Sequence, residues 1–325
     1  MKINQDNLII AIAQIAPIYL DKNKTIAKIK NAMSEAASQK AKLVCFGETI
    51  LPGYPFWLEH TNGAKFNNKI QKEIFSFYLQ QAVSIADGDL QPICDVAKQL
   101  KIAVYIGVAE RANDRGGHSI YCSLVYIDAD GNIQSVHRKL MPTYEERLVW
   151  GIGDGNGLKV HSLEGFTVGG LNCWENWMPL ARTSLYAQGE NLHVAVWPGN
   201  LYNTSELTKH IAKENRMYVL SVSGIMRKKD IGNMMPHSDL FKTNAPTWLA
   251  NGGSCIAAPD GTWLIEPIIN KEIVQTAIIN LDEVRKERQN FDPSGHYARP
   301  DIFSLNVNTE RQKLVTFSEG IVKNK

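Results

Sequence analysis

Apolar positions along the chain alternate between two spacings. Leu8 to Ala13 is continuously apolar and reads, with Gln14, as a strand. Asp21 to Lys40 places Ile26, Ile29, Met33, Ala36 and Ala37 on one face at helical spacing. Leu43 to Phe46 is a short buried strand, so the chain opens as βαβ. The alternation continues with helices over 66–83 and 90–100 and strands over 102–108 and 119–128. A hairpin turn at Asp130-Gly131 then leads to a strand over 133–137. Phe166 to Leu171 is another short strand. Pro179 suits the first turn of a helix carrying Leu180, Leu185 and Tyr186. Strands over 191–196 and 218–225 flank a helix over 204–217. The polar stretch 228–244 reads as a loop long enough for a lid or an interface. A closing meander (253–258, 262–266, 273–279), a helix over 281–288 and an irregular run from Asp292 to Asp301 complete the pattern.

This unbroken α/β alternation predicts a single domain over 1–305 with a short tail, 306–325. With 44% hydrophobic and 21% charged residues, the 325-residue chain has an ordinary globular balance. Its net charge is +2 with basic and acidic residues interleaved, which gives no nucleic-acid footprint. Five cysteines, none in a Cys-x-x-Cys pair, suggest neither a disulfide framework nor a zinc site. They fit a reducing, cytoplasmic setting. No apolar run is long enough to span a membrane. The run ahead of Ala11-Ile12-Ala13 is too short for a signal peptide. The glycines of 151–157 never fall into Gly-x-Gly-x-x-Gly, which argues against a dinucleotide.

Three reactive groups stand where strands end. Cys173 follows the strand 166–171 at a sharp strand-to-helix junction. Such a junction exposes a nucleophile, aims backbone N–H groups at what it attacks, and lowers a thiol pKa through the helix N-terminus. Read alone, the thiol is better explained as a small buried hydrophobe, as most free cysteines are. Glu48 follows the strand 43–46 and precedes an apolar, turn-rich stretch containing Tyr54 and Trp57, a setting that raises a carboxylate pKa by desolvation. A surface-turn glutamate is the alternative. Lys139 closes the strand 133–137, where a solvated strand-end lysine is the ordinary case. Glu145, Glu146 and Arg147 follow and would suit a salt-bridge network, whereas His193, mid-strand, reads as a satisfied core histidine. Together a carboxylate, an ammonium and a thiol make chemical sense: a base for the thiol proton and a cation for the anion formed when a thiolate adds to an unsaturated carbon.

Phe46-Gly-Glu-Thr-Ile-Leu-Pro-Gly-Tyr-Pro55, His137-Arg-Lys-Leu-Met-Pro-Thr-Tyr-Glu-Glu-Arg-Leu-Val-Trp-Gly151 and Cys173-Trp-Glu-Asn-Trp-Met-Pro-Leu-Ala-Arg182 resemble the signatures of the nitrilase, or carbon–nitrogen hydrolase, superfamily. The resemblance runs from Leu8 to Asp301 and is strongest to its nitrilase branch, which carries Cys-Trp-Glu at the nucleophile. It implies a four-layer αββα sandwich, completed to eight layers across a subunit interface in a homo-oligomer, dimeric or spiral. It implies Cys173 as nucleophile, Glu48 as general base, Lys139 as anion stabiliser and Glu146 as a supporting glutamate. The Trp174 backbone N–H is the candidate oxyanion-type donor, and Tyr54, Trp57, Trp197 and His296 are candidate substrate contacts, although core is the safer default for any single aromatic. The implied substrate is a small organic nitrile, with no metal and no organic cofactor. An amidase or carbamoylase using the same residues is the alternative, and a non-catalytic oligomerising scaffold is a further one. The short tail departs from many microbial nitrilases and leaves filament formation open.

Overall fold

The computed structural model describes residues 7–316. The elements run β1 (Asn7–Gln14), α1 (Lys22–Ser38), β2 (Leu43–Phe46), α2 (Trp57–His60), α3 (Lys69–Gln81), α4 (Gln91–Leu100), β3 (Ala103–Arg111), β4 (Ile120–Ile127), β5 (Ile133–Arg138), β6 (His161–Leu163) and β7 (Phe166–Asn172). They continue with α5 (Pro179–Tyr186), β8 (Leu192–Trp197), α6 (Leu201–Thr204), α7 (Leu207–Asn215), β9 (Tyr218–Ser223), β10 (Ile225–Arg227), α8 (Ser238–Asn244), β11 (Trp248–Ala257), β12 (Trp263–Ile269), β13 (Ile273–Asn280) and α9 (Leu281–Arg288). One sheet has the order β13-β1-β2-β3-β4-β5. The other has the order β10-β11-β9-β8-β7-β6, with β12 on β11.

The two-residue period of each strand sorts its side chains between two cores. In β1, Ile10 and Ile12 turn toward the second sheet and share a core with Phe166, Val194 and Leu220. Ala11 and Ala13 turn the other way, onto Ile29 and Met33 of α1 and Ile93 of α4. On the far side, Ala195 and Trp197 of β8 pack with Tyr186 of α5 and Ile211 of α7. The layers are therefore helix, sheet, sheet, helix, the αββα sandwich expected from the sequence. Strands buried on both faces must be apolar throughout, which is why β1, β2 and β8 read as runs rather than alternations.

Several expectations change. Phe66 lies ahead of α3 and is exposed, and the chain turns helical only after Asn68, whose side chain accepts the N–H of Gln71. The helix expected over 204–217 is split into α6 and α7, and the Thr204 hydroxyl is spent on the carbonyl of Gly253. The 228–244 stretch is not all loop: α8 buries Phe241 near Tyr19, and His237 meets Glu73 at 2.6 Å. The closing meander is broken as well. β11 and β12 form a hairpin in the second sheet, but β13 crosses back to pair antiparallel with β1, Asn7 opposite Asn280 through Gln14 opposite Ile273. Part of the tail folds back too. Arg311 and the Gln312 N–H both bond the Asp154 carboxylate.

Gly107, mid-β3, shows how tightly the sheet holds the segment after β2. A Cβ there would stand 2.5 Å from the Gly47 carbonyl oxygen and 2.7 Å from the Glu48 Cα. Gly107→Ala is expected to cost about 1–3 kcal/mol by overpacking and to lower turnover by moving Glu48. Denaturant midpoints and specific activity measured on the same preparation check both.

Candidate active site

Glu48, Lys139 and Cys173 each follow a strand, and the two sheets bring those strand ends together. The Glu48 N–H bonds the carbonyl of Trp197 at 3.2 Å, tying the end of β2 to the end of β8. The Lys139 N–H bonds the carbonyl of Cys122 at 2.7 Å, which carries the β4–β5 pairing one residue further. Cys173 sits immediately beyond β7 with φ +45°, a left-handed backbone rare for a residue with a Cβ. Glu146 stands in the tight turn Tyr144–Leu148, where its carboxylate accepts the Thr143 N–H at 2.6 Å.

The four side chains are buried, with 0–3% of their surface exposed. The Lys139 ammonium donates to Glu48 Oε1 at 2.9 Å and to Glu146 Oε2 at 2.7 Å. The Cys173 sulfur and an oxygen of each carboxylate all lie within 4.8 Å of one another. That set has the donor types of a cation site, but the ammonium already supplies the positive charge there. Tyr54 donates its hydroxyl to Glu146 at 2.9 Å and packs edge-on to Trp150, whose ring lies 5.7 Å from the ammonium.

Each group's proton affinity follows from this crowding. Burial pushes Glu48 up to about 7, with Lys139 pulling it down and Glu146 adding to the rise. Burial alone would lower Lys139, but Glu48, Cys173 and Glu146 hold it well above the ordinary lysine value. The expected lowering of the Cys173 thiol is overturned. Burial raises it well above an ordinary thiol, Lys139 and the Trp174 N–H pulling down and the two carboxylates pushing up. The helix dipole is too far off to help: a tight turn, Cys173–Trp177, intervenes before α5 begins at Pro179. A base beside the sulfur is therefore needed. Glu48 Oε2 is buried with no hydrogen-bond partner, while Oε1 takes Lys139 and, at 3.4 Å, the Cys122 thiol.

The remaining candidates fare unevenly. The Trp174 N–H lowers the proton affinity of the Cys173 thiol, although the Trp174 side chain is half exposed. Trp197 is fully buried in the cluster that includes Cys173, its indole N–H on Ser221, and contributes its carbonyl to Glu48. Trp57 packs edge-on against Tyr78 at 4.7 Å and lines a surface cavity of about 170 Å³ with Leu148 and Val149. His296 is exposed, its ring against Tyr297, and is not brought to the cluster. Arg147 does not ion-pair with its neighbouring acids among the described residues; it donates to the Pro142 carbonyl. His193 is satisfied on both nitrogens, by Glu190 and by Asn176 at 2.8 Å each. Asn176 in turn donates to the Cys173 carbonyl at 2.8 Å. Sequence reasoning missed Cys122, whose only signal was its place in β4, the strand paired with the lysine-bearing β5.

The carbon–nitrogen hydrolase family model matches residues 9–289. The chain is 34% identical over 311 residues to an aliphatic nitrilase of Sinorhizobium fredii (strain HH103), covering 94% of this chain and 97% of that one. It is 32% identical over 315 residues to Nitrilase 2 of Arabidopsis thaliana, covering 96% and 92%. Among solved structures, an amidase from Nesterenkonia sp. superposes with a TM-score of 0.65 at 17% identity, over 89% of this chain and 96% of that one. The family match and these relatives place the chain among hydrolases of carbon–nitrogen bonds. It belongs to the carbon–nitrogen hydrolase family.

The Glu48 carboxylate is a base only above its proton affinity and is lost as pH falls through it. Alkylation of Cys173 by iodoacetamide is therefore expected to rise with pH through a midpoint near 7. Glu48→Gln should remove that limb. A midpoint at the ordinary carboxylate value of about 4.3 would overturn the assignment.

Proposed function

We propose that the chain is a nitrilase, converting a small organic nitrile to its carboxylic acid and ammonia. The observation that carries this reading is the Lys139 ammonium held between Glu48 and Glu146 beside the Cys173 thiol. The nitrilase names of its relatives support it. Glu48 takes the thiol proton, and the thiolate adds to the nitrile carbon. The developing negative nitrogen is met by Lys139, which supplies a proton and is reprotonated by Glu48, giving a thioimidate. Water, deprotonated by Glu48, adds to the thioimidate carbon. The nitrogen leaves as ammonia, and a thioester remains. A second water, activated in the same way, releases the acid and restores the thiol. If the tetrahedral intermediate expels sulfur instead of nitrogen, an amide is released. Glu146 orients Lys139, and Tyr54 orients Glu146. The Trp174 N–H assists at the sulfur.

Ammonia release on matched nitriles and amides tests the reading. Turnover of nitriles with little on amides is expected, and Cys173→Ala should abolish it. Turnover of amides alone would move the chain to the amidase or carbamoylase reading. Inactivity of wild type on both would favour the scaffold reading.

We further propose that the chain works as a homo-oligomer, with a second copy covering α5. Trp177, Leu180, Tyr297, Ile302 and Phe303 are 51–75% exposed, an apolar patch that water disfavours. Leu180, Tyr297, Ile302 and Phe303 line one groove of about 870 Å³. Leu180→Glu is expected to shift the protein to monomer in light scattering, and an unchanged mass would count against this face.

A further inference from the structure

Two separate loops carry the reacting groups: one after β5 with Lys139, the other after β7 with Cys173. A single buried carboxylate joins them. Glu175 Oε1 accepts the Leu140 N–H at 2.5 Å, one residue beyond the ammonium-bearing lysine. Its Oε2 accepts the Asn172 N–H at 2.8 Å, one residue before the nucleophile. The His137 Nε2, two residues ahead of Lys139, lies 3.1 Å from both oxygens. Glu175 is 1% exposed and His137 2% exposed, so water does not compete for these bonds. Glu175 is also held below the ordinary carboxylate range; burial opposes this, but His137 and the two N–H groups outweigh it.

We propose that Glu175 is a positioning residue that fixes the spacing between the Cys173 sulfur and the Lys139 ammonium. It does not touch the reacting atoms. Each carboxylate oxygen holds one loop, so the span between the two N–H donors is set by the rigid width of one carboxylate. A side chain with one acceptor oxygen cannot do this: glutamine would turn an N–H group toward a backbone N–H. Aspartate keeps the charge but falls one methylene short of one loop. With either substitution the ammonium and the sulfur drift apart. Two consequences follow. The thiolate loses its nearby cation, so the sulfur reacts more slowly. The tetrahedral intermediate loses the proton donor that helps nitrogen leave, so more of it expels sulfur and ends as amide.

The second consequence rests on the nitrilase reading, whereas the first does not. Glu175→Gln and Glu175→Asp are compared with wild type by iodoacetamide alkylation of Cys173 at pH 7. They are also compared by turnover per titrated thiol and by the ratio of amide to acid released. The ratio is a property of each active molecule, so a smaller folded fraction leaves it unchanged. Both variants are expected to alkylate more slowly, to lose about tenfold or more in turnover with KM nearly unchanged, and to release a larger share of amide. Unchanged alkylation and unchanged product ratio in folded Glu175→Gln would overturn the proposal. Wild-type behaviour of Glu175→Asp would overturn the two-loop span and leave only a charge effect. If wild type turns over no nitrile, the functional reading fails, while the alkylation comparison still decides the role of Glu175.

Discussion

A lysine ammonium with no exposed surface is the constraint on which the site depends. Taking such an ion out of water has an idealised cost of order 20 kcal/mol, and several kcal/mol after relaxation. Only close, well-directed opposite charge offsets that cost. Lys139 has it in two carboxylates at 2.9 and 2.7 Å. The carboxylates are expensive to bury in turn: Glu48 Oε1 takes the Lys139 ammonium and the Cys122 thiol, and Glu146 Oε2 takes the ammonium and the Thr143 N–H. Removing one member would leave its partners charged and unpaired, at a cost of about 3–5 kcal/mol for a buried pair. The cluster is thus a poor source of stability and a strict specification of geometry. The same crowding raises the proton affinity of Glu48 and keeps Lys139 charged.

Backbone strain gathers at the same place. Thr49, beside Glu48, has φ +44°; Tyr144, two residues before Glu146, has φ +43°; Cys173 itself has φ +45°. Side-chain-bearing residues in this region cost about 1–3 kcal/mol each, and for a β-branched threonine it is a true outlier. These conformations persist because the adjoining strands are locked on both faces. The regular sandwich carries the cost of an irregular site.

Much of this was legible in the chain. Strands buried on both faces leave contiguous apolar runs, so β1, β2 and β8 could be placed closely, and α1 and α9 announced themselves by spacing and charge. Glu48, Lys139 and Cys173 stood out as polar residues closing such runs, and the motifs around them named the family. What periodicity could not reveal was partnership between distant segments. Nothing local distinguishes β13, which leaves its hairpin neighbours for β1, from a third meander strand. The joint roles of Glu175, Tyr54 and Cys122 arise from contacts across 35, 92 and 74 positions. Thiol reactivity misled for a related reason: the helix begins at Pro179 as expected, but the turn Cys173–Trp177 separates it from the thiol, and the burial that dominates the thiol's proton affinity is a property of the whole fold. Aromatic residues were ambiguous from the start. Trp57 and Trp197 are both fully packed, and only the contacts around them tell that the first packs with Tyr78 while the second shares a cluster with Cys173.

The return of β13 to β1 also bears on how the chain is made. On a ribosome β1 emerges long before its outer partner. Until residues 273–280 appear, the backbone groups on that edge of the first sheet lack their strand. The core between the sheets likewise waits for Ile279 and Val284. An unfinished chain therefore carries an open strand edge beside exposed apolar side chains, the combination most prone to pair with another nascent copy. Completion of the first sheet waits for β13, so a premature stop anywhere before that strand damages distant β1 as much as the residues next to the stop.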